Sequence, residues 1–151
     1  MRPRADGPRQ PPGPQEAAAG SRPAARADPA AYAGAVLDVT AMIPSGKVLT
    51  YGDIAELLAC GGPRQVGRAL SLATRDVPWW RVLRAGGRPA QGLAREARSR
   101  YDDESTALAV PADPVGEDDY RVVLAEARWW PSPAQQDALA RLGASLSRPA
   151  P

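Results

Sequence analysis

Four polar residues of one segment are spaced to share a single helix face. Arg64, Arg68, Ser71 and Arg75 follow one another at intervals of 4, 3 and 4 residues, which places side chains on one side of an α-helix. Guanidinium groups suit phosphate, because they are planar, permanently charged and able to donate two parallel hydrogen bonds. Three of them in a row predict a surface that contacts a nucleic-acid backbone.

The sequence holds few residues for covalent catalysis. It has no histidine and a single cysteine, Cys60, so mechanisms that use imidazole are excluded, as are an internal disulfide and a thiolate metal cluster. Cys60 has neither a histidine to deprotonate it nor a cation beside it in sequence. We therefore expect Cys60 to be a small, semi-apolar structural residue near the C-terminus of a helix. These absences favour a binding protein without cofactor or metal.

The basic face belongs to the second helix of a predicted helix-turn-helix. Thr50 and Asp53 stand at capping-box spacing at the start of one helix, and Gly61-Gly62 ends it. Pro63 can open the next helix, over about 63–74, with an apolar inner side and the arginines outside. Two helices joined by a tight glycine-containing turn indicate a DNA-binding motif.

Shorter elements surround this motif. They are a first helix from Asp28-Pro29 to Pro44, an extended segment or short strand over 77–83, a short helix over 93–101, a second extended stretch over 120–130 and a small helix after Ser132. The first and last helices begin with an N-cap residue followed by proline, while the β-branched and aromatic composition of 77–83 favours extended backbone.

Composition divides the chain into three parts. Residues 1–28 are rich in Pro, Ala and Arg and, apart from Met1, lack large apolar residues, so a disordered tail is predicted there. Residues 29–131 are expected to form one DNA-binding domain, and 132–151 a C-terminal tail with a short helix. No stretch approaches the ~20 apolar residues of a membrane helix, so we expect no membrane contact. We also expect a monomer in the cytoplasm, associated with the nucleoid.

Charge is segregated within the central part of the chain. Residues 38–100 carry ten cations and five acids, whereas residues 101–120 carry seven acids and no cation. The first region is therefore expected to meet phosphate and the second to face away from it.

Three stretches, in order and at compatible spacing, resemble a known family. They are IPSGKVLTYGDIAELL at 43–58, PRQVGRAL at 63–70 and VPWWRV at 77–82. They are similar to the C-terminal domain of O6-alkylguanine-DNA alkyltransferases, whose third motif is PCHRV, and more closely to the alkyltransferase-like proteins, in which tryptophan replaces the reactive cysteine. The resemblance covers roughly residues 30–130 and implies a mostly α fold with short strands, a winged helix-turn-helix.

The resemblance implies binding without catalysis. In the enzymes the PCHRV histidine makes the cysteine a thiolate that accepts the alkyl group, and those two positions are here Trp79 and Trp80. The implied function is recognition of O6-alkylguanine in duplex DNA, with the lesion flipped into a pocket of Trp79, Trp80 and Tyr51. The family further implies hand-over of the marked site to nucleotide excision repair proteins.

The resemblance also assigns roles on the helix-turn-helix. Arg64 matches the family's arginine finger, which enters through the minor groove and fills the place of the flipped base. The other residues implied to contact or closely approach DNA are Thr50, Gln65, Gly67, Arg68 and Ser71. Relatives carry an arginine near the base in the loop after the pocket, for which Arg88 and Arg95 are both candidates.

One departure from the family and three alternatives stay open. Tyr101-Asp102-Asp103-Glu104-Ser105 stands where the family has Leu-x-x-Glu-Gly-Val, so the far wall of the pocket is expected to differ. The alternatives are an alkyltransferase that uses Cys60, a winged-helix regulator without lesion specificity, and a protein-interaction module that has lost DNA binding.

Overall fold

The structure, a computed structural model, describes residues 27–147, so residues 1–26 of the predicted disordered tail lie outside the described part. The helices are α1 (Pro29–Met42), α2 (Tyr51–Leu58), α3 (Pro63–Ser71), α4 (Ala94–Glu104), α5 (Leu124–Ala127) and α6 (Pro133–Leu146). A 3-10 turn spans Trp79–Arg81, and the strands are β1 (Leu49–Thr50), β2 (Val82–Leu83), β3 (Leu108–Ala109) and β4 (Arg121–Val122). The predicted fold class, mostly α with short strands in a winged helix-turn-helix, is confirmed.

The helix starts follow local sequence signals. The Asp28 carboxylate accepts a hydrogen bond from the backbone N–H of Ala31 at the start of α1. Thr50 and Asp53 form the predicted capping box: the Thr50 hydroxyl accepts from the Asp53 N–H at 3.0 Å, and the Asp53 carboxylate accepts from the Thr50 N–H at 2.9 Å. These bonds satisfy backbone donors that the first helical turn leaves unpaired.

The main core lies between α1, α2, α3 and α6. It contains Val36, Ile54, Leu58, Val66 and Leu139, each at most 1% exposed. The four helices bury apolar faces against one another, and this packing holds the helix-turn-helix formed by α2 and α3.

Helix α6 corrects the predicted C-terminal boundary. We expected a tail with a short helix beyond residue 131, but α6 is 14 residues long and packs against α1 and α2. Gly143 lies so near α2 that a β-carbon there would sit 2.3 Å from the Leu58 carbonyl oxygen. Leu139 and Leu146 are buried in the main core, so α6 belongs to the domain.

A second core supports the other half of the molecule. Tyr101, Tyr120, Leu83, Val48 and Val122 are buried together there. β1 pairs in parallel with β2, with Leu49 opposite Val82, and β3 pairs with β4 antiparallel. The β1–β2 ladder joins the segment between α3 and α4 to the start of α2, and the β3–β4 hairpin follows α4.

Two predicted extended segments are partly helical. Residues 79–81 of the segment 77–83 form the 3-10 turn, and only 82–83 are strand. The stretch 120–130 contains α5 between β4 and Trp129. Both segments cross from one core to the other, and tertiary packing overrides their strand propensity. Within residues 27–147 there is no helix with the length and apolar character needed to cross a membrane.

Candidate nucleic-acid interface

The outer face of α3 presents two free arginines. Arg64 and Arg68 are exposed, and neither has an ion-pair partner within residues 27–147. Arg75 differs from them, because α3 ends at Ser71 and the Arg75 guanidinium pairs with Asp38 and donates to the Gly34 carbonyl. The predicted row of three guanidinium groups is therefore corrected to two on the helix.

The remaining residues expected to contact DNA occupy different environments. Gln65 is exposed, and its side-chain oxygen accepts from the Gly62 N–H at 3.0 Å, which caps α3. Ser71 is exposed, and its hydroxyl donates to the Arg68 carbonyl. Thr50 is only 7% exposed and its hydroxyl is taken up by the capping box. Its side chain caps the N-terminus of α2, the helix that begins at Tyr51.

Beside α3 lies a cavity of about 490 Å³, called here the Trp79 cavity. Four residues predicted for the site meet in its lining: Tyr51, Gly67, Ser71 and Trp79. Arg75 of the predicted basic face also lines the cavity. The other lining residues carry no clear sequence signal and come from the segments 70–77 and 90–96: Leu70, Ala73, Asp76, Val77, Ala90, Gln91, Leu93 and Glu96. A largely apolar concavity of this size is suited to a planar organic group such as a base.

Tyr51 and Gly67 form one edge of the Trp79 cavity. Tyr51 is the first residue of α2 and is half-buried. A β-carbon at Gly67 would lie 3.7 Å from the Tyr51 ring, in ordinary contact, so the missing side chain leaves the ring room on the face of α3. Burial raises the pKa of the Tyr51 hydroxyl, and the positive charge of Arg84 opposes that rise only in part. The hydroxyl is therefore a hydrogen-bond donor at neutral pH.

The two tryptophans of the 3-10 turn face different sides. Their rings meet edge to face, with centroids 5.6 Å apart and planes at 88°. Trp79 lines the cavity, whereas Trp80 does not. Trp80 instead lines a neighbouring cavity together with Trp79. Its ring stacks under the Arg100 guanidinium at 4.5 Å, and its indole N–H donates to Glu104 at 3.0 Å.

Glu104, which the sequence analysis did not single out, holds this turn in place. Its carboxylate pairs with Arg81 and accepts from the Trp80 indole and the Gly46 N–H, and its side chain is 11% exposed. Burial raises the pKa of Glu104, but hydrogen bonds from Arg81, Gly46 and Trp80 outweigh it and leave the pKa below its ordinary value. Arg81 also donates to the Ile43 carbonyl at 2.8 Å, so the cluster joins the turn to α1 and α4.

A sequence signal for Glu104 was present. It stands at the glutamate position of the family's Leu-x-x-Glu-Gly-Val motif, and Ser105 stands at the glycine position. Ser105 adopts a left-handed backbone with φ +57°, which is the conformation that glycine adopts most easily. The left-handed backbone at Ser105 is thus compatible with a glycine at the same position in the motif.

The loop arginines proposed for the base point elsewhere. The Arg88 guanidinium donates to the Tyr120 carbonyl at 3.4 Å, and Arg95 pairs with Glu117 at 3.4 Å. Neither lines the Trp79 cavity. Arg84, whose charge reaches Tyr51, donates to the Pro89 carbonyl and does not line the cavity either.

Cys60 is inaccessible. It is 0% exposed, belongs to the main core, and its backbone carbonyl accepts the Tyr32 hydroxyl at 3.0 Å. It does not line the Trp79 cavity. A thiol buried in this way has no route to a DNA substrate, which argues against the alternative that uses Cys60 as acceptor.

Comparison with known sequences identifies relatives of this domain. Residues 31–106 match the family described as 6-O-methylguanine DNA methyltransferase, DNA binding domain. The chain is 33% identical over 101 residues to alkyltransferase-like protein 1 of Schizosaccharomyces pombe, covering 64% of this chain and 92% of that protein. It is 29% identical over 99 residues to a DNA base-flipping protein of Vibrio parahaemolyticus, covering 64% and 93%.

Solved structures agree with these matches. The S. pombe protein in complex with DNA is similar to this chain with a TM-score of 0.56 at 30% identity, covering 66% of this chain and 95% of that one. Its complex with damaged DNA containing O6-carboxymethylguanine gives a TM-score of 0.57 at 29% identity and the same coverage. Both similarities are high enough to support the shared fold.

Proposed function

Because the chain belongs to the family of the 6-O-methylguanine DNA methyltransferase DNA-binding domain, we propose that it recognises O6-alkylguanine in duplex DNA and does not repair it chemically. The observation that carries the proposal is the position of the Trp79 cavity, which is lined by Gly67 and Ser71 of α3, the same helix that carries the exposed Arg64 and Arg68. A surface for phosphate and a receptacle for a base thus lie side by side, the combination that base flipping needs.

We assign the parts as follows. Arg64 enters the base stack from the minor groove and replaces the flipped nucleotide, while Arg68 contacts phosphate. Tyr51 stands at the mouth of the cavity and favours rotation of the nucleotide out of the duplex. Trp79 stacks on the alkylated base. Trp80 and Glu104 act indirectly, because they hold the 3-10 turn that carries Trp79.

The absence of alkyl transfer follows from the third motif. Trp79 takes the place of the acceptor cysteine of PCHRV, and Trp80 that of the histidine which would deprotonate it. Cys60 cannot substitute, since it is buried away from the cavity. Binding therefore leaves the lesion in place as a marked site, and we propose that nucleotide excision repair proteins then receive it.

A titration of native tryptophan fluorescence tests this function. The full chain is titrated with two identical duplexes, one carrying a single O6-methylguanine and the other guanine, at fixed moderate salt. We expect tighter binding to the methylated duplex and recovery of intact O6-methylguanine. Equal affinity for the two duplexes would favour the winged-helix regulator without lesion specificity, and recovery of unmodified guanine would show that the protein is an alkyltransferase.

A further inference from the structure

The charged groups around the Trp79 cavity are unevenly balanced. Its lining contains two carboxylates, Asp76 and Glu96, and one cation, Arg75. The Arg75 guanidinium is already paired with Asp38 and hydrogen-bonded to the Gly34 carbonyl. Its charge is therefore shared with an acid, Asp38, that does not line the cavity.

The two carboxylates of the cavity have no such partners. Among the residues that the structure describes, neither Asp76 nor Glu96 receives a side-chain hydrogen bond or an ion pair. The loop arginines do not compensate them, because Arg88 is bonded to the Tyr120 carbonyl and Arg95 pairs with Glu117. Both carboxylates are exposed, so water screens them in part, while the remaining wall is mostly apolar and aromatic. An adduct in the cavity therefore meets a lining with more negative than positive charge.

We propose that Asp76 and Glu96 determine which O6 substituents the cavity accepts: uncharged and cationic groups bind, and anionic groups are disfavoured. This inference rests on the proposed function, since it assumes that the flipped base enters the Trp79 cavity. Selection arises because a carboxylate on the adduct would be desolvated next to like charges, whereas an ammonium group would gain their attraction.

One relative supplies a demanding adduct for this inference. The S. pombe protein was solved with damaged DNA containing O6-carboxymethylguanine, an adduct with a negative charge at neutral pH. In the present chain the lining holds two acids without a side-chain partner among the described residues, beside one cation, Arg75, that is paired with Asp38. We therefore expect this chain to disfavour O6-carboxymethylguanine because of the side chains that line its cavity and not because of the helix-turn-helix.

Two pairs of duplexes isolate the charge of the adduct. O6-carbamoylmethylguanine and O6-carboxymethylguanine are nearly isosteric and differ by one negative charge, and O6-(2-hydroxyethyl)guanine and O6-(2-aminoethyl)guanine differ by one positive charge. We expect the carboxymethyl duplex to bind about tenfold more weakly than the carbamoylmethyl duplex, and the aminoethyl duplex more tightly than the hydroxyethyl duplex.

Variants assign the effect to the cavity. The double substitution Asp76→Asn with Glu96→Gln should bring the carboxymethyl and carbamoylmethyl affinities to within about twofold of each other. Asp103→Asn is the control for each of the two single substitutions, Asp76→Asn and Glu96→Gln, because it removes one carboxylate charge from an exposed residue of α4 that does not line the cavity. It should leave the ratio of the two affinities near its original value.

The possible results distinguish the two proposals. If the wild-type protein prefers O6-methylguanine over guanine but binds the carboxymethyl and carbamoylmethyl duplexes equally, the charge selection is wrong and lesion recognition stands. If Asp103→Asn changes the ratio of the carboxymethyl and carbamoylmethyl affinities as much as the cavity substitutions do, the assignment of the charge effect to Asp76 and Glu96 is wrong. If O6-methylguanine itself gives no preference, the proposed function fails first.

Discussion

Replacement of Arg64 separates intercalation from simple phosphate contact. Arg64 and Arg68 lie one turn apart on α3, both exposed and both without an ion-pair partner among residues 27–147. The substitutions Arg64→Ala and Arg68→Ala therefore remove equal charge from the same surface. Neither should change the free energy of unfolding by more than about 0.5 kcal/mol, because no described contact is lost. Differences in DNA binding then report on the roles of the two side chains.

The expected magnitudes differ between the two variants. If both side chains neutralise phosphate in unmodified DNA, each variant reduces the slope of log affinity against log salt by about 0.9. Arg64→Ala should in addition lower the preference for O6-methylguanine over guanine by roughly 5- to 150-fold, since a planar group stacked between bases contributes about 1–3 kcal/mol. Arg68→Ala should weaken binding to both duplexes alike and leave that preference unchanged.

Fluorescence titrations of the two duplexes at several salt concentrations measure both quantities. The control is the melting temperature of each variant, which should equal that of the wild type. The reasoning is refuted if Arg64→Ala and Arg68→Ala lower the affinities for the two duplexes by the same factor. Arg64 would then be one more phosphate contact, and another residue would have to stabilise the flipped state.

Three further predictions concern packing, pH and chemistry. Gly143→Ala should lower the free energy of unfolding, measured in urea, by about 1–3 kcal/mol, because the new methyl group would clash with the Leu58 carbonyl. Gly34→Ala is the control: Gly34 has open space around it, so the free energy of unfolding should stay the same or rise. Equal effects of the two substitutions would contradict this packing. Glu104→Gln should destabilise the protein at neutral pH, because the lowered pKa of Glu104 stabilises the fold only while the carboxylate is ionised. The difference from the wild type in urea unfolding should shrink as pH falls below the ordinary glutamate pKa of about 4.3 and through the lowered pKa. A difference that does not change with pH would be inconsistent with this reasoning. Trp79→Cys should fail to take a labelled methyl group from O6-methylguanine DNA, because the histidine position holds a second tryptophan, and labelled protein would disprove this account.

Helix positions were predictable from short-range signals. Proline after an N-cap residue starts α1 and α6, and the reciprocal bonds of Thr50 and Asp53 start α2, all as the sequence indicates. These signals act over three or four residues, so no knowledge of the fold is needed to interpret them. The end of α3 was less predictable: the helix stops at Ser71, and Arg75 turns to Asp38 on α1. A partner 37 residues away leaves no trace in local spacing.

The site was predictable only in part for the same reason. The motifs that resemble the family supplied Tyr51, Gly67 and Trp79, which line one cavity. They could not show that Trp80 lies outside the Trp79 cavity, because its position is set by contacts with Arg100 and Glu104, which are 20 or more residues away in sequence. Nor could they show that Glu104, more than twenty residues later, anchors that turn.

The sequence by itself therefore determined the family, the helix-turn-helix with its caps, and the lack of histidine, since each depends on residue identity or on neighbours within a helical turn. Only the tertiary structure decided which charges are free. Arg64 and Arg68 remain without acidic partners among the described residues, Arg75 and Arg95 are paired, and the cavity keeps carboxylates on its wall. Ion pairs form between side chains that the fold brings close together, and the linear sequence gives the charges without their distances.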